Sequence, residues 1–596
     1  MKKLPFILLT AFLSLPFTGV QAQTDDFMAE EMADFDKFIE DANKEFINFL
    51  REPWKDTEPK PAEKALPKPK PSVPVVVSEK DLPAVDPSDL PDTKPLINAD
   101  KEPDVDFGFD FDADEPGVIR QGQQGSVTAA KTKNPANQKP KDKKPSAGKS
   151  SSVVPADAKP LDQKPVKPVI PTQPVVSATP STPVVPVAPV VPSTPATPVA
   201  PAAKTPVATP SVTPVPAPSA TPAPAATPSI ASSSALFTGG SGRQQIDYLG
   251  MPIYIDTNLK NKAAVSGTDE NSVANAVEKL ASSDYKTIVA DITEARKTLK
   301  LNGWATVLLV NKISENLCNS ANERVILRLF LLNQLGYKCQ VGRVGGELAL
   351  FVSPDCKIYG IPYVTLGNQN FYDIDKVLKG RTFQLCQKLS SKAVNQIDMQ
   401  VSAVPVLATA TKSSTHTSRD TGASATATVS LGQMQLYKQY PQCDFSVYYK
   451  AQVNPVSASP VLEVLKQGIA GKSETEAVQY ILNWCQKAFD YATDDEQFGY
   501  EKPFFVEEMF YYPKSDCEDR SILFSYLVRQ LTGLKVVLLD YPNHIATGVK
   551  FSGDVKGDNV TKGSTRYVIC DPTYIGASIG MAQPSFRNVK PEILEY

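Results

Sequence analysis

The feature that most constrains this chain is a break in its composition. From about Pro53 to Ser234 it consists largely of Pro, Ala, Val, Thr, Ser and Lys, with runs such as Val187-Ala-Pro-Val-Val-Pro, and most of its 53 prolines fall there. Such a segment buries too little apolar surface to offset the cost of ordering the backbone. Residues 55–235 are therefore expected to form a long disordered tether rich in polyproline II conformation. A packed core has to come from what flanks it, chiefly from the globular composition that begins after Leu236. At 596 residues the chain is long enough for more than one domain even without the tether.

The start of the chain reads as an export signal. Lys2 and Lys3 form a positive n-region, Leu4 to Val20 an apolar stretch, and Val20-Gln21-Ala22 a cleavage site with small residues at its key positions. A signal peptide over 1–22, no membrane span after its removal, and a periplasmic or secreted location are the expectations. The net charge of −3 and pI of about 5.8 speak against a nucleic-acid partner. Residues 25–54 are acidic, with Phe27, Phe35, Phe38, Ile39, Phe46, Phe49 and Leu50 at helical spacing. They predict one amphipathic helix that either folds onto the chain's own domain or docks a partner protein. Inside the tether, Asp104-Val-Asp-Phe-Gly-Phe-Asp-Phe-Asp reads as a solvated acidic patch or a short linear motif.

An internal repeat organises the globular part. Glu323-Arg-Val-Ile-Leu-Arg-Leu-Phe-Leu-Leu-Asn-Gln-Leu matches Asp519-Arg-Ser-Ile-Leu-Phe-Ser-Tyr-Leu-Val-Arg-Gln-Leu, and each is followed by a glycine, Gly336 and Gly533. Downstream, Ala349 and Val352 match Ala546 and Val549, and a single-residue gap sets Asp373 opposite Asp571. Helix, strand and aspartate recurring in one order suggest duplication into units at 241–390 and 440–596. The Ser/Thr/Ala-rich stretch 402–433 reads as a linker between them, and His416, which falls in it, receives no role.

Chemistry concentrates in the second unit. Ser515-Asp-Cys-Glu518 has the form of a capping box, and Ile522, Leu523, Tyr526, Leu527 and Leu531 make one apolar helical face. Cys517 then falls in the first helical turn, where the dipole and the unsatisfied N–H groups favour a thiolate and could receive an oxyanion. Lys535 to Tyr541 predicts a strand, Pro542-Asn543 a turn, and His544 opens a second strand running to Phe551. Arg566 to Cys570 predicts a further strand that delivers Asp571. Cys517, His544 and Asp571 stand 27 residues apart in turn. A thiolate needs an imidazole to hold its proton, and the imidazole needs a carboxylate to fix its tautomer. Of eight cysteines none forms a CxxC pair, and the chain has only two histidines, so neither a zinc site nor any cofactor is expected. Beyond the Cys517 N–H, Tyr500, Tyr511, Tyr512 and Trp484 are the upstream side chains considered for an oxyanion.

Asp516-Cys-Glu-Asp-Arg, Asn543-His-Ile-Ala-Thr and Val568-Ile-Cys-Asp-Pro-Thr, in that order, resemble the transglutaminase-like superfamily of papain-like thiol enzymes. The resemblance covers roughly Ser473 to Gly580. It implies an α+β fold of two tandem transglutaminase-like units behind a tether, with a catalytic Cys517, His544 and Asp571 that attack amides through a thioester. The first unit departs from the pattern, with Ala321 opposite Cys517 and Glu347 opposite His544, and is expected to be a degenerate copy. An exported peptidase or amidase acting on a protein or cell-wall peptide is the first reading. A crosslinking or deamidating transglutaminase and a non-catalytic binding scaffold are the alternatives.

Overall fold

The computed structural model describes residues 22–63, 73–78, 234–408 and 410–596, with side chains from residue 37 onward. The expected signal peptide, most of the expected tether and the Asp104 motif lie outside the described residues. No helix among those described is long and apolar enough to cross a membrane.

Helix α1 spans Ala22–Arg51, and the described part of its apolar side packs on the chain itself. Phe46, Ile47 and Leu50, with Trp54 beyond the helix end, are buried in the main hydrophobic core. Arg51 pairs with Glu278 at 2.7 Å, Asn43 donates to the Tyr285 hydroxyl, and the Trp54 N–H donates to Glu270. The expectation of a partner protein for this helix is thereby corrected for its C-terminal half, because four large side chains are already covered. The tether also begins later than its composition suggests. Lys55–Thr57 forms β1, and Lys60 pairs with Tyr363 through a 2.8 Å hydrogen bond. Main-chain hydrogen bonding does not depend on side-chain hydrophobicity, so composition alone could not reveal it.

The body is mixed α and β. Its first half contains α2 (Glu270–Ala281), α3 (Ala321–Gln334) and the strands β2 (Cys339–Val344), β3 (Glu347–Val352), β4 (Tyr363–Leu366), β5 (Gln369–Asp373) and β6 (Phe383–Leu385). Their antiparallel sheet has the order β1-β6-β2-β3-β5-β4, and it curls enough for residues 55–60 to reach both of its edges. The expected linker at 402–433 is instead a hairpin of β7 (Thr411–Thr417) and β8 (Ser424–Ser430), followed directly by helix Leu431–Lys438. Thr and Ser alternate with Ala and Val along it, so Ala425, Ala427 and Val429 enter the core while hydroxyls pair across the outer face. His416, opposite Ala425, is half-buried with its ring against Phe489, and partial desolvation lowers its pKa to about 4.

The second half contains α4 (Glu474–Lys487), α5 (Cys517–Thr532), β9 (Lys535–Tyr541), β10 (His544–Lys550), β11 (Asn559–Lys562), β12 (Thr565–Cys570) and β13 (Glu592–Leu594). The sheet order is β13-β9-β10-β12-β11, the same as β6-β2-β3-β5-β4 in the first half. Each sheet follows a helix of similar length, α3 or α5. In each, the two central strands join through a two-residue turn, with Val344 opposite Glu347 in one and Tyr541 opposite His544 in the other. Glu347 thus stands where His544 does. The same register corrects the aspartate match. Phe351 faces Asp373, whereas the equivalent Gly548 faces Ile569, so the position of Asp571 falls to Asp375. The single-residue gap runs in the opposite direction, and side-chain identity had misled the alignment.

Candidate functional site

Helix α5 begins at Cys517, and its N-cap is Asp516 rather than the expected Ser515. The Asp516 N–H donates to the Asp519 carboxylate at 3.2 Å, while Ser515 Oγ accepts from the Arg520 guanidinium. Arg520 is itself buried and also donates to the carbonyls of Phe489 and Asp490 at 2.9 Å. The helix start is thus pinned from behind, which fixes the direction of the Cys517 side chain. Gly533 ends the helix in the left-handed conformation at φ 70°.

Strand β10 brings the second residue. The Ile545 N–H lies 3.5 Å from Cys517 Sγ, and Ser521 Oγ of α5 donates to the Ile545 carbonyl at 3.1 Å. His544, the preceding residue, is buried, with its ring stacked on Phe586 at a centroid distance of 5.1 Å. Its Nε2 meets Asp571 Oδ2 at 2.7 Å. Nδ1 is then the nitrogen left to act on the thiol. Cys517, His544 and Asn543 line one cavity of about 490 Å³.

Asp571 follows β12 and is held by donors on both oxygens. Oδ1 accepts from the Thr573 N–H and hydroxyl at 2.9 Å and from the Tyr574 N–H at 3.1 Å. Oδ2 accepts from His544 and, at 3.0 Å, from the Gln583 amide. Burial pushes the carboxyl pKa up, but the charge and hydrogen bond of His544, with the Thr573 donors, outweigh it and hold the group below the usual carboxylate range. All three predicted residues are therefore in one place, the last two in direct contact.

Several participants were not foreseen. Gln583 lies 12 residues beyond Asp571 with no motif around it, so only its hydrogen bonds identify it. Glu518 was read as a capping residue, yet its carboxylate accepts the Cys517 thiol proton at 3.1 Å. That contact opposes thiolate formation, since a like charge disfavours ionisation. Of the proposed oxyanion aromatics, Trp484, Tyr511 and Tyr512 are buried elsewhere and Tyr500 lines a different cavity. Tyr491 is the tyrosine on the wall of the Cys517 cavity.

Around the start of α5, Asp494 and the half-buried Glu501 from upstream join its own acidic residues and Cys517 in three overlapping groups, Asp516-Cys517-Glu518, Asp494-Glu501-Glu518 and Asp494-Asp516-Asp519. Oxygen sets of this kind suit a hard cation, which histidine and cysteine counting does not address. Backbone amides already account for several of these carboxylates. Asp494 accepts from the Lys502 N–H at 2.7 Å, Asp519 from the Phe504 N–H at 2.9 Å, and Asp516 from the Asp494 N–H at 3.3 Å. Compared with known proteins, the chain matches no family model, no curated protein and no solved structure.

Proposed function

We propose that the second half is a thiol hydrolase of amide bonds in a protein or cell-wall peptide, acting outside the cytoplasm after export. The observation that carries this reading is the 2.7 Å contact between His544 Nε2 and Asp571 Oδ2, beside a Cys517 sulfur that sits 3.5 Å from the neighbouring Ile545 N–H. His544 Nδ1 takes the thiol proton as Sγ bonds to the substrate carbonyl carbon. The charge that develops on the carbonyl oxygen falls near the first turn of α5, where the helix itself supplies no acceptor for its N–H groups. Collapse breaks the C–N bond, the imidazolium returns the proton to the leaving amine, and a thioester remains on Cys517. Water then attacks with His544 as base, releasing the acid and restoring the thiol. Asp571 stays ionised throughout and holds the ring tautomer.

The shared sheet order and hairpin register support a tandem transglutaminase-like architecture whose first member lacks a nucleophile and a base. A lysine amine in place of water would make the same site a crosslinking enzyme. Incubating the full chain with a peptide library and a labelled primary amine separates these outcomes. Free-acid products abolished by Cys517→Ala support hydrolysis, and amine incorporation supports crosslinking. Equal product with Cys517→Ala leaves the binding scaffold.

A further inference from the structure

Residues Val73–Ser78 return from the tether to the mouth of the Cys517 cavity. Val76 pairs in parallel with Ile575, the Ile575 N–H donating to the Val75 carbonyl at 2.8 Å and the Val77 N–H to the Ile575 carbonyl at 2.9 Å. Val75 and Val77 point inward and pack against Tyr574, Ala577 and Met581, whereas Val76 is 61% exposed. Ile575 belongs to the loop that begins at Asp571 and wraps its carboxylate. Upstream of the pairing, Pro74 and Val75 form part of the wall of the cavity that holds Cys517 and His544.

The contact has the form of a bound peptide. Its two hydrogen bonds use only main-chain groups, and its side-chain subsites are two apolar positions of valine size, spaced by one residue. Extended peptides dock on exposed main chain in this way, the backbone supplying affinity and alternate side chains supplying selectivity. We propose that the groove along Tyr574–Ala577 is a binding site for extended polypeptide with aliphatic residues at i and i+2, and that Val73–Ser78 occupies it in cis as a built-in competitor. A peptide seated in the same register lays the residues preceding its first aliphatic side chain over Cys517. The substrate part of this proposal rests on the hydrolase reading; the groove and its occupant do not.

The test compares the full chain with two variants that release the segment, Val75→Asp/Val77→Asp and Val77→Pro. The second removes one main-chain donor without adding charge, and a tether rich in proline accommodates it. The probe is a fluorescein-labelled Val73–Ser78 peptide, read by anisotropy. A tethered occupant acts at an effective concentration on the order of millimolar, so both variants are expected to bind the probe at least about tenfold more tightly than the unaltered chain. The rate at which iodoacetamide labels Cys517 should rise at least threefold in both. Val76→Asp, at an outward position, should behave as the unaltered chain. Binding absent from all variants, or equal in all, overturns the proposal. Probe exchange without hydrolysis of any peptide removes the hydrolase reading and leaves the groove. Hydrolysis without probe exchange does the reverse.

Discussion

His544 Nε2 and the Gln583 side-chain nitrogen both converge on Asp571 Oδ2, at 2.7 and 3.0 Å. The carboxylate therefore orients the imidazole while the amide orients the carboxylate. On the precedent of other triads, Asp571→Asn should lower peptide turnover by roughly 10²- to 10⁴-fold through a wrongly held tautomer. Gln583→Glu tests the positioning role separately. Two carboxyls about 3 Å apart cannot both ionise freely, so the acidic limb of the pH–rate profile should move to higher pH. Full activity with an unmoved profile in Gln583→Met, which fills similar space without the amide donor, would argue for simple space filling.

Thiol reactivity should single out Cys517. Burial pushes Cys386 up to about 11 and Cys318 up to about 12, and raises Cys339 and Cys485 further. Cys356, the one thiol of the eight that is not fully buried, needs replacement by Ser to keep the comparison clean. In that background Cys517 should be carboxamidomethylated first, as read by peptide mapping. Glu518→Gln should speed the labelling several-fold, because it removes a negative charge beside the sulfur.

The N-terminal helix should be needed for folding. A chain starting at Ser241 loses Phe46, Ile47, Leu50 and Trp54 from the core, each contributing about 1.5–3 kcal/mol when buried. It should unfold at markedly lower denaturant than the full chain or aggregate. Adding residues 22–63 back should restore cooperative unfolding by circular dichroism.

The aspartates of the first half should matter for stability alone. Asp375, the register equivalent of Asp571, pairs with the buried Arg328 guanidinium. Asp375→Asn should cost about 1–3 kcal/mol in denaturant unfolding, since a buried cation loses its partner. Turnover should stay unchanged in both Asp375→Asn and Asp373→Asn. A large loss of turnover at full stability would place the first half in the site.

Lys392 makes stability depend on alkaline pH. Its ammonium is buried against the Asn43 and Gln334 side-chain oxygens at 2.7 Å, and burial lowers its pKa to about 8. In the unfolded chain the value returns to about 10.4. Between these limits the unfolded state holds more protons at this site, so the Lys392 contribution to stability should rise as pH increases from about 8 to about 10.4, opposing the fall that the buried thiols contribute. Urea unfolding of Lys392→Met should therefore lose stability relative to the unaltered chain as pH increases across that window.

Local sequence determined the helices and strands around the site and the order of Cys517, His544 and Asp571, because capping, apolar period and turn residues act over a few positions. It also exposed the repeat, although residue identity alone set Asp373 where strand register sets Asp375. Composition misjudged residues 55–63, 73–78 and 402–433. The first two owe their order to main-chain pairing with distant strands and loops, and the third to a local hairpin in which Ala and Val alternate with Ser and Thr. Gln583, the contact of Glu518 with the thiol and the burial of α1 were likewise decided by tertiary structure. Each joins residues through space that share no spacing rule, and only the folded chain brings their donors, acceptors and apolar faces together.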